Sequence, residues 1–527
     1  MIAVAGIGIV SAIGIGKEET LRSLREGRSG IGEVHYLPTK HRELPCGEVR
    51  KSNADLKAML GIGAAQDYGR TALLGAVAVR EAIKDWGVKE GVKIRLALVS
   101  GTTVGGMDSG DWSCGNCTDE IARLAGLPEN TETCTISTAC SSALNAIIVG
   151  CEMLNNDEAD IVIAGGAEAL SLFHLNGFNS LKILDKERCR PFAEDRAGLN
   201  LGEGAAFVVL KKGVKGGVKI AGYGNRCDAF HQTATSENGE GAYLAMMEAL
   251  RSAGMSPEDI DYVNAHGTGT PDNDKSETIA LKRVFGGAMP PCTSTKNLTG
   301  HATSAAGSIE LVISILMMQD RGYDTVMCNS FGFGGNDSSV VLERGIERRV
   351  EKGVKKGVEK GVEKGVKVAC QCTVDSDEQL KELREFMSPM QTRRMSRLMK
   401  AAMLSSLKAL KEAGMDTPDA IIAATRYGMY EESMQIRKEL EESGEETVSP
   451  TLFMQSTHNT IASAIAIRTK CHGYNITYTQ NEQSMDWAMR DAERLISAGQ
   501  GKNVLVIECD AKEKLHSRAI VMSLCDC

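Results

Sequence analysis

The residues with most chemistry to offer are one cysteine and two histidines set among small side chains. Cys140 lies in Thr135-Ile136-Ser137-Thr138-Ala139-Cys140-Ser141-Ser142-Ala143-Leu144-Asn145-Ala146. There a β-prone run gives way to apolar residues at helical spacing, Leu144, Ile147, Ile148, Cys151 and Leu154. The pattern predicts a thiol at a helix N-terminus, where unpaired N–H groups and the helix dipole lower its pKa and favour the reactive thiolate. Small neighbours leave room for a substrate to approach the sulfur. His266 stands in Asn264-Ala265-His266-Gly267-Thr268-Gly269-Thr270-Pro271, and His301 in Leu298-Thr299-Gly300-His301-Ala302-Thr303-Ser304. Lys296 precedes the second loop, and Glu310 lies on the helix that follows it. A glycine turn comes last, Asn329-Ser330-Phe331-Gly332-Phe333-Gly334-Gly335-Asn336-Asp337. Each feature alone fits a structural role: a buried cysteine packs as a small hydrophobe, a histidine hydrogen-bonds locally, and glycines supply positive φ. Their occurrence together in this order is far more specific.

These residues need a scaffold, and the pattern around them alternates buried strands with helices. A strand at 2–10 is followed by a short helix at 17–25, an amphipathic helix at 70–86 and a buried strand at 94–99. A strand at 160–164 closes on glycines, and Arg190-Pro191-Phe192 and Gly202-Glu203-Gly204 mark an irregular segment before a strand at 205–210. The pattern resumes with a helix at 240–253, a strand at 260–264, helices at 275–285 and 304–319, and a strand near 338–342. This alternation predicts an α/β fold with layered sheets.

The 527 residues carry 42% hydrophobic and 24% charged side chains, the balance of a globular protein with several domains or one large duplicated core. A net charge of −9 argues against general nucleic-acid binding. The 16 cysteines lack the spacing of a disulfide scaffold, and Cys114-Gly-Asn-Cys117 has no second pair or histidine beside it. No signal peptide precedes the first strand and no run of about 20 apolar residues is present, so a reducing cytoplasm without a membrane span is expected.

The clearest break in composition runs from Arg348 to Lys367, where Lys/Glu-Lys-Gly-Val units repeat. Frequent glycine and alternating charge read as a solvated tether, placed at 346–367, with shorter echoes at 89–92 and 212–214. Beyond it, 368–527 is an imperfect repeat of the chain's own first half. The stretch 394–414 matches the helix at 70–87, 420–425 the strand at 95–101, and 503–508 the strand at 160–165. Counting back, the place of Cys140 falls near Asn481, so the tail is expected to lack the nucleophile.

Taken together, residues 1 to about 345 resemble the β-ketoacyl-acyl-carrier-protein synthases of the thiolase superfamily, the elongating, type II-like members with a Cys-His-His site. The resemblance implies a duplicated α-β-α-β-α layered fold with halves at 1–212 and 213–345, dimeric through the first half. The tail resembles a further thiolase-like half of the kind found in aryl-polyene and related polyketide pathways, where some such chains are non-catalytic partners. The implied reaction is decarboxylative Claisen condensation of an acyl chain on Cys140 with malonyl-acyl-carrier protein, giving 3-oxoacyl-acyl-carrier protein. By the resemblance, the amides of Cys140 and Phe333 hold the oxyanion and His266 and His301 donate to the enolate. Lys296 with Glu310 orders the site, and Phe331 and Phe333 gate the acyl pocket. No cofactor or metal is implied; the partners are acyl-carrier protein and a second ketosynthase-like unit, in a homodimer or a mixed pair. Ala193 stands where the family has an acidic residue, and the loops around 30–60 and 105–130 are short. Two other readings remain: a coenzyme-A-dependent thiolase-like enzyme, whose relatives use Cys-His-Cys or Cys-His-Asn sites, and a non-catalytic chain-length or carrier-binding subunit.

Overall fold

A computed structural model of the chain describes residues 1–63, 65–87, 94–107, 110–213, 216–345 and 365–525. One 16-stranded sheet path runs through it, and apart from the two-residue strand Gly14–Ile15 its members fall into three sets of five. The first set is Ile2–Ser11, Leu96–Gly101, Glu132–Ile136, Ile161–Glu168 and Gly204–Lys212. The second is Val218–Cys227, Tyr262–Asn264, Cys292–Thr293, Thr325–Gly332 and Asn336–Arg344. The third is Val366–Val374, Ala420–Ala424, Tyr474–Tyr478, Asn503–Asp510 and His516–Leu524. Within each set the spatial order is first, fifth, fourth, second, third. The chain is thus three copies of one half-fold.

A residue-level trace of the duplication survives in the backbone. The first strand of the first set is bulged between Val4 and Gly6, and that of the third set between Val368 and Cys370, at the same offset from the strand start. The inner strands Leu96–Gly101 and Ile161–Glu168 pair in parallel and are buried along their whole length, which explains their unbroken apolar sequences.

The first and second sets meet through their first strands, with Ile2 opposite Ile220. The first and third meet through their third strands, with Ile136 opposite Tyr478 in an antiparallel bridge. Backbone bonds from Ser137 N to Thr477 O (2.9 Å) and Thr479 N to Thr135 O (3.0 Å) extend that seam. The edge through which the resemblance implied dimerisation therefore carries the chain's own tail, directly beside the strand that ends at the nucleophile.

Helix Ser142–Asn155, which follows Cys140, is buried on nearly every side because it lies between two layers. Its counterpart in the tail, Ser484–Ser497, buries Trp487, Ala488, Leu495 and Ile496 but exposes Asp486 and Glu493. One layer covers this helix, and its sequence is amphipathic accordingly. A lone half-fold would expose an apolar face; here polar residues cover one side of the tail and the first unit covers the other.

The tether placed at 346–367 lies outside the described residues from 346 to 364, and the strand Val366–Val374 opens within its last two positions. The repeat echo at 89–92 and Val214 of the second echo also lie outside them. Among the described residues no helix is long and apolar enough to cross a membrane, and the 15 described cysteines form no disulfide.

Candidate active site

A tight turn, Ala139–Ser141, delivers Cys140 to the start of its helix. Ala139 takes a left-handed φ of 52°, a conformation that costs a non-glycine residue about 1–3 kcal/mol and persists only where its surroundings enforce it. Asn145 Nδ2 donates to Thr138 Oγ1 (2.9 Å), and Ser330 Oγ donates to the carbonyl of Cys140 (3.0 Å). Gly332 must be glycine, since a Cβ there would stand 2.7 Å from Thr138 O and 3.2 Å from Cys140 N.

The structure brings the other named residues to the same place. His301 Nε2 lies 3.1 Å from Cys140 Sγ. The rings of His266 and His301 stand edge to face with centroids 5.4 Å apart, and Phe331 lies 5.7 Å from His266. Lys296, 1% exposed, forms an ion pair with Glu310, donates to His266 O (2.6 Å) and faces His266 Nδ1 at 3.4 Å. An ammonium donor at Nδ1 makes that nitrogen the acceptor, so the neutral ring carries its proton on Nε2. Cys140, His266, His301, Phe331 and Phe333 line one cavity of about 460 Å³. A narrower pocket of about 30 Å³ continues from Cys140 past Phe178 and Phe333 to Phe453 and Thr457 of the tail.

The electrostatics overturn one expectation. The helix start was predicted to lower the pKa of Cys140, yet burial pushes the thiol up to about 12. The Lys296 ammonium and the dipoles of the backbone N–H groups of Phe333 and Cys140 act in the opposite direction without prevailing. Burial, reinforced by Lys296, holds His266 and His301 well below the usual imidazole range, so both rings are neutral. Burial also lifts the Glu310 carboxyl to about 7, against the pull of Lys296.

Several supporting residues escaped the sequence reading. Glu168 is fully buried and accepts from Thr102 Oγ1 (3.0 Å), Thr103 N (2.7 Å) and Ser304, fixing the loop that carries His301. A carboxylate ending the apolar strand 161–168 was the one signal for it. Glu277 accepts the N–H groups of His266 (2.8 Å) and Gly267 (2.7 Å). Glu203, from the Gly-Glu-Gly segment, pairs with Arg70 (2.6 Å) and accepts from Val49 N (2.9 Å). Ala193 leaves no orphaned cation: Arg190 pairs with Glu187 (3.1 Å) and Asp195 (3.3 Å).

The tail's turn Asn481–Gln483 repeats Ala139–Ser141, and Asn481 has a φ of 50°, matching Ala139. The residue in the place of Cys140 is therefore Glu482, one position beyond the Asn481 expected from counting. Asn481 instead faces the first unit, accepting from Ser113 Oγ. Cys114 and Cys117 are buried on one helix, and no cluster of three metal-ligating side chains occurs among the described residues.

Comparison with known proteins follows the same division. The model of the β-ketoacyl synthase N-terminal domain matches residues 130–215, and that of the C-terminal domain matches 218–326. A second N-terminal-domain model matches 369–515. The chain is 30% identical over 409 residues to a 3-oxoacyl-[acyl-carrier-protein] synthase 2 of Vibrio cholerae, covering 65% of this chain and 99% of that one. It is 29% identical over 407 residues to the protein of that name in Staphylococcus aureus, covering 65% and 98%. Among solved structures, the ishigamide ketosynthase/chain length factor is 28% identical with a TM-score of 0.60, over 65% of this chain and 98% of that one. A ketosynthase (ApeO) in complex with its chain length factor (ApeC) from Xenorhabdus doucetiae is also 28% identical, with a TM-score of 0.58 over 65% and 98%. The PfaC keto synthase-chain length factor shares the fold across 99% of this chain and 78% of its own, at a TM-score of 0.77 and 16% identity.

Proposed function

Because this chain belongs to the β-ketoacyl synthase family, we propose that it is a 3-oxoacyl-acyl-carrier-protein synthase whose first two half-folds do the chemistry and whose third is a built-in partner. The observation that carries this reading is the 3.1 Å approach of His301 Nε2 to Cys140 Sγ, beside His266 in one cavity.

Cys140 Sγ attacks the carbonyl carbon of an acyl thioester on carrier protein, and the carrier's sulfur leaves as the new thioester forms. The thiol proton departs with the carrier thiol, and His301 Nε2 is the base close enough to relay it. The amides of Cys140 and Phe333, both of which favour negative charge on the sulfur, hold the tetrahedral oxyanion in this reading. Malonyl-carrier protein then loses carbon dioxide, and the enolate oxygen receives a hydrogen bond from His266 Nε2–H, joined by His301 once its ring proton has exchanged from Nδ1 to Nε2. The enolate carbon attacks the Cys140 thioester. The 3-oxoacyl chain leaves on the carrier, and the Cys140 thiolate takes up a proton. Histidines in both later loops favour this reaction over coenzyme-A-dependent thiolase chemistry.

For the tail the reading is structural. Glu482 in the nucleophile's place removes acyl transfer, while Phe453 and Thr457 help to line the narrow pocket beside Cys140. In this reading the tail acts as a chain-length subunit within one polypeptide; the missing nucleophile and the tail residues in the pocket lining support it for this segment alone.

The test is mass spectrometry of Cys140 after incubation with a panel of acyl-carrier proteins, followed by malonyl-carrier protein. The expected result is an acyl adduct on Cys140 discharged as 3-oxoacyl product, abolished in Cys140→Ala and retained in Cys117→Ala. Condensation persisting in Cys140→Ala would overturn the assignment.

A further inference from the structure

The tail touches the reaction centre at a point that neither its repeat nature nor the pocket explains. Asn459, wholly buried, precedes helix Thr460–Thr469 of the tail. Its Nδ2 donates to the backbone carbonyl of Phe333 (2.8 Å) and to Asn336 Oδ1 (2.6 Å). Phe333 follows Gly332, which packs against Cys140 N, and lines the same cavity as Cys140; its backbone N–H favours the thiolate of that residue. Gly334, with a φ of 86°, lies so close to the same helix that a Cβ would stand 2.2 Å from Ser463 Oγ and 3.0 Å from Asn459 Nδ2.

A buried amide network continues from there. Asn336 Nδ2 donates to Asn475 O (2.9 Å) and Oδ1 (3.0 Å), and Asn475 N donates to Asn225 Oδ1 (2.9 Å). Asn225 Nδ2 donates to Asn145 Oδ1 (2.8 Å), and Asn145 Nδ2 donates to Thr138 Oγ1 (2.9 Å). One end grips the oxyanion turn and the other the nucleophile turn, with two of the five asparagines supplied by the tail. Buried amide donors are costly unless their hydrogen bonds are made, and each Nδ2 of the chain from Asn459 to Asn145 has its acceptor, so the network holds both turns in one arrangement.

We propose that Asn459 is a positioning residue for the oxyanion-donating amide of Phe333, so that the tail completes the reaction centre of the first unit. The peptide group Phe333–Gly334 is fixed at its carbonyl by Asn459 and at its neighbour by the helix surface. The Phe333 N–H is thereby aimed before charge develops on the substrate oxygen.

The inference rests on the condensation reading only in that an acyl oxyanion forms at Phe333, so its test needs no carrier protein. In the full chain, Cys140 acylation by a hexanoyl-N-acetylcysteamine thioester passes through a tetrahedral oxyanion, whereas its alkylation by iodoacetamide does not. Asn459→Ala and the isosteric Asn459→Asp, which cannot donate to Phe333 O, are expected to slow acylation about 10- to 100-fold. Alkylation should change less than about twofold, because sulfur access is preserved. Arg490→Ala removes a seam ion pair to Glu132 (2.7 Å) remote from the turn and should leave the ratio of the two rates unchanged. The proposal is overturned if both Asn459 variants keep the wild-type ratio, or if Arg490→Ala lowers it as much. Failure of the wild type to condense malonyl-carrier protein would instead count against the reaction proposed above.

Discussion

Cys140 is pulled two ways: a helix start and Lys296 favour the thiolate, and burial favours the thiol. Burial wins, so below about pH 12 the resting sulfur is protonated and its neutral neighbour His301 is available as acceptor. Alkylation of Cys140 by iodoacetamide should therefore rise roughly tenfold per pH unit from 6 to 10, tracking the thiolate fraction. A plateau reached below pH 8 would mean that the dipole prevails after all. Lys296 illustrates a second point at the same scale. Lys296→Ala leaves Glu310 buried without its cation and should cost roughly 3–5 kcal/mol in urea denaturation. Burial raises the folded-state pKa of Glu310 above its unfolded value, so the loss should be smaller at pH 5, where the carboxyl is neutral, than at pH 8. Lys296→Ala/Glu310→Gln should recover most of it at pH 8. Equal losses at both pH values would show that the carboxylate is not the source of the penalty.

The turn Phe331–Gly335 shows how an element becomes specific to its partner. Gly334→Ala places a methyl against Ser463 and forces a left-handed alanine, which costs about 1–3 kcal/mol before the clash is counted. Its thioester acylation rate should fall at least tenfold, and Ser463→Ala added to it should recover only part, because the φ strain remains. Full recovery would place the whole effect in the side-chain contact. Much of this scale is legible in the sequence. The apolar runs 94–99 and 160–164 read as buried strands, which the structure sets at Leu96–Gly101 and Ile161–Glu168; Cys140 reads as the head of a helix and the glycine turn as a turn, because each pattern is local. Asn459 and Glu277 were not legible. Asn459 works only through Phe333 and Asn336, 126 and 123 residues away, and Glu277 through two amides on another element. Counting backward missed Glu482 by one place for a similar reason: the turn's left-handed residue, not the spacing of strands, fixes the register.

At the scale of the whole molecule, three half-folds share two seams, and the seam with the tail is as much core as surface. A single apolar cluster includes Ile136 and Leu144 of the first unit together with Tyr478, Trp487 and Leu495 of the tail. Trp487 is fully buried, donates from Nε1 to Thr133 O (3.2 Å), and sits beneath the Arg490–Glu132 ion pair. Such continuity couples the tail's unfolding to that of the catalytic unit, so the wild-type chain should melt in one calorimetric transition. Trp487→Ala removes the largest side chain from the seam and should cost about 3–5 kcal/mol, borne first by the tail because its helix Ser484–Ser497 has one covering layer. The transition should then split. Between the two melts Cys140 should still react with iodoacetamide while thioester acylation has already fallen, since Asn459 departs with the tail. Two transitions in the wild type, or acylation that survives the first melt in the variant, would mean that the third half-fold is a passenger on the other two rather than part of their chemistry.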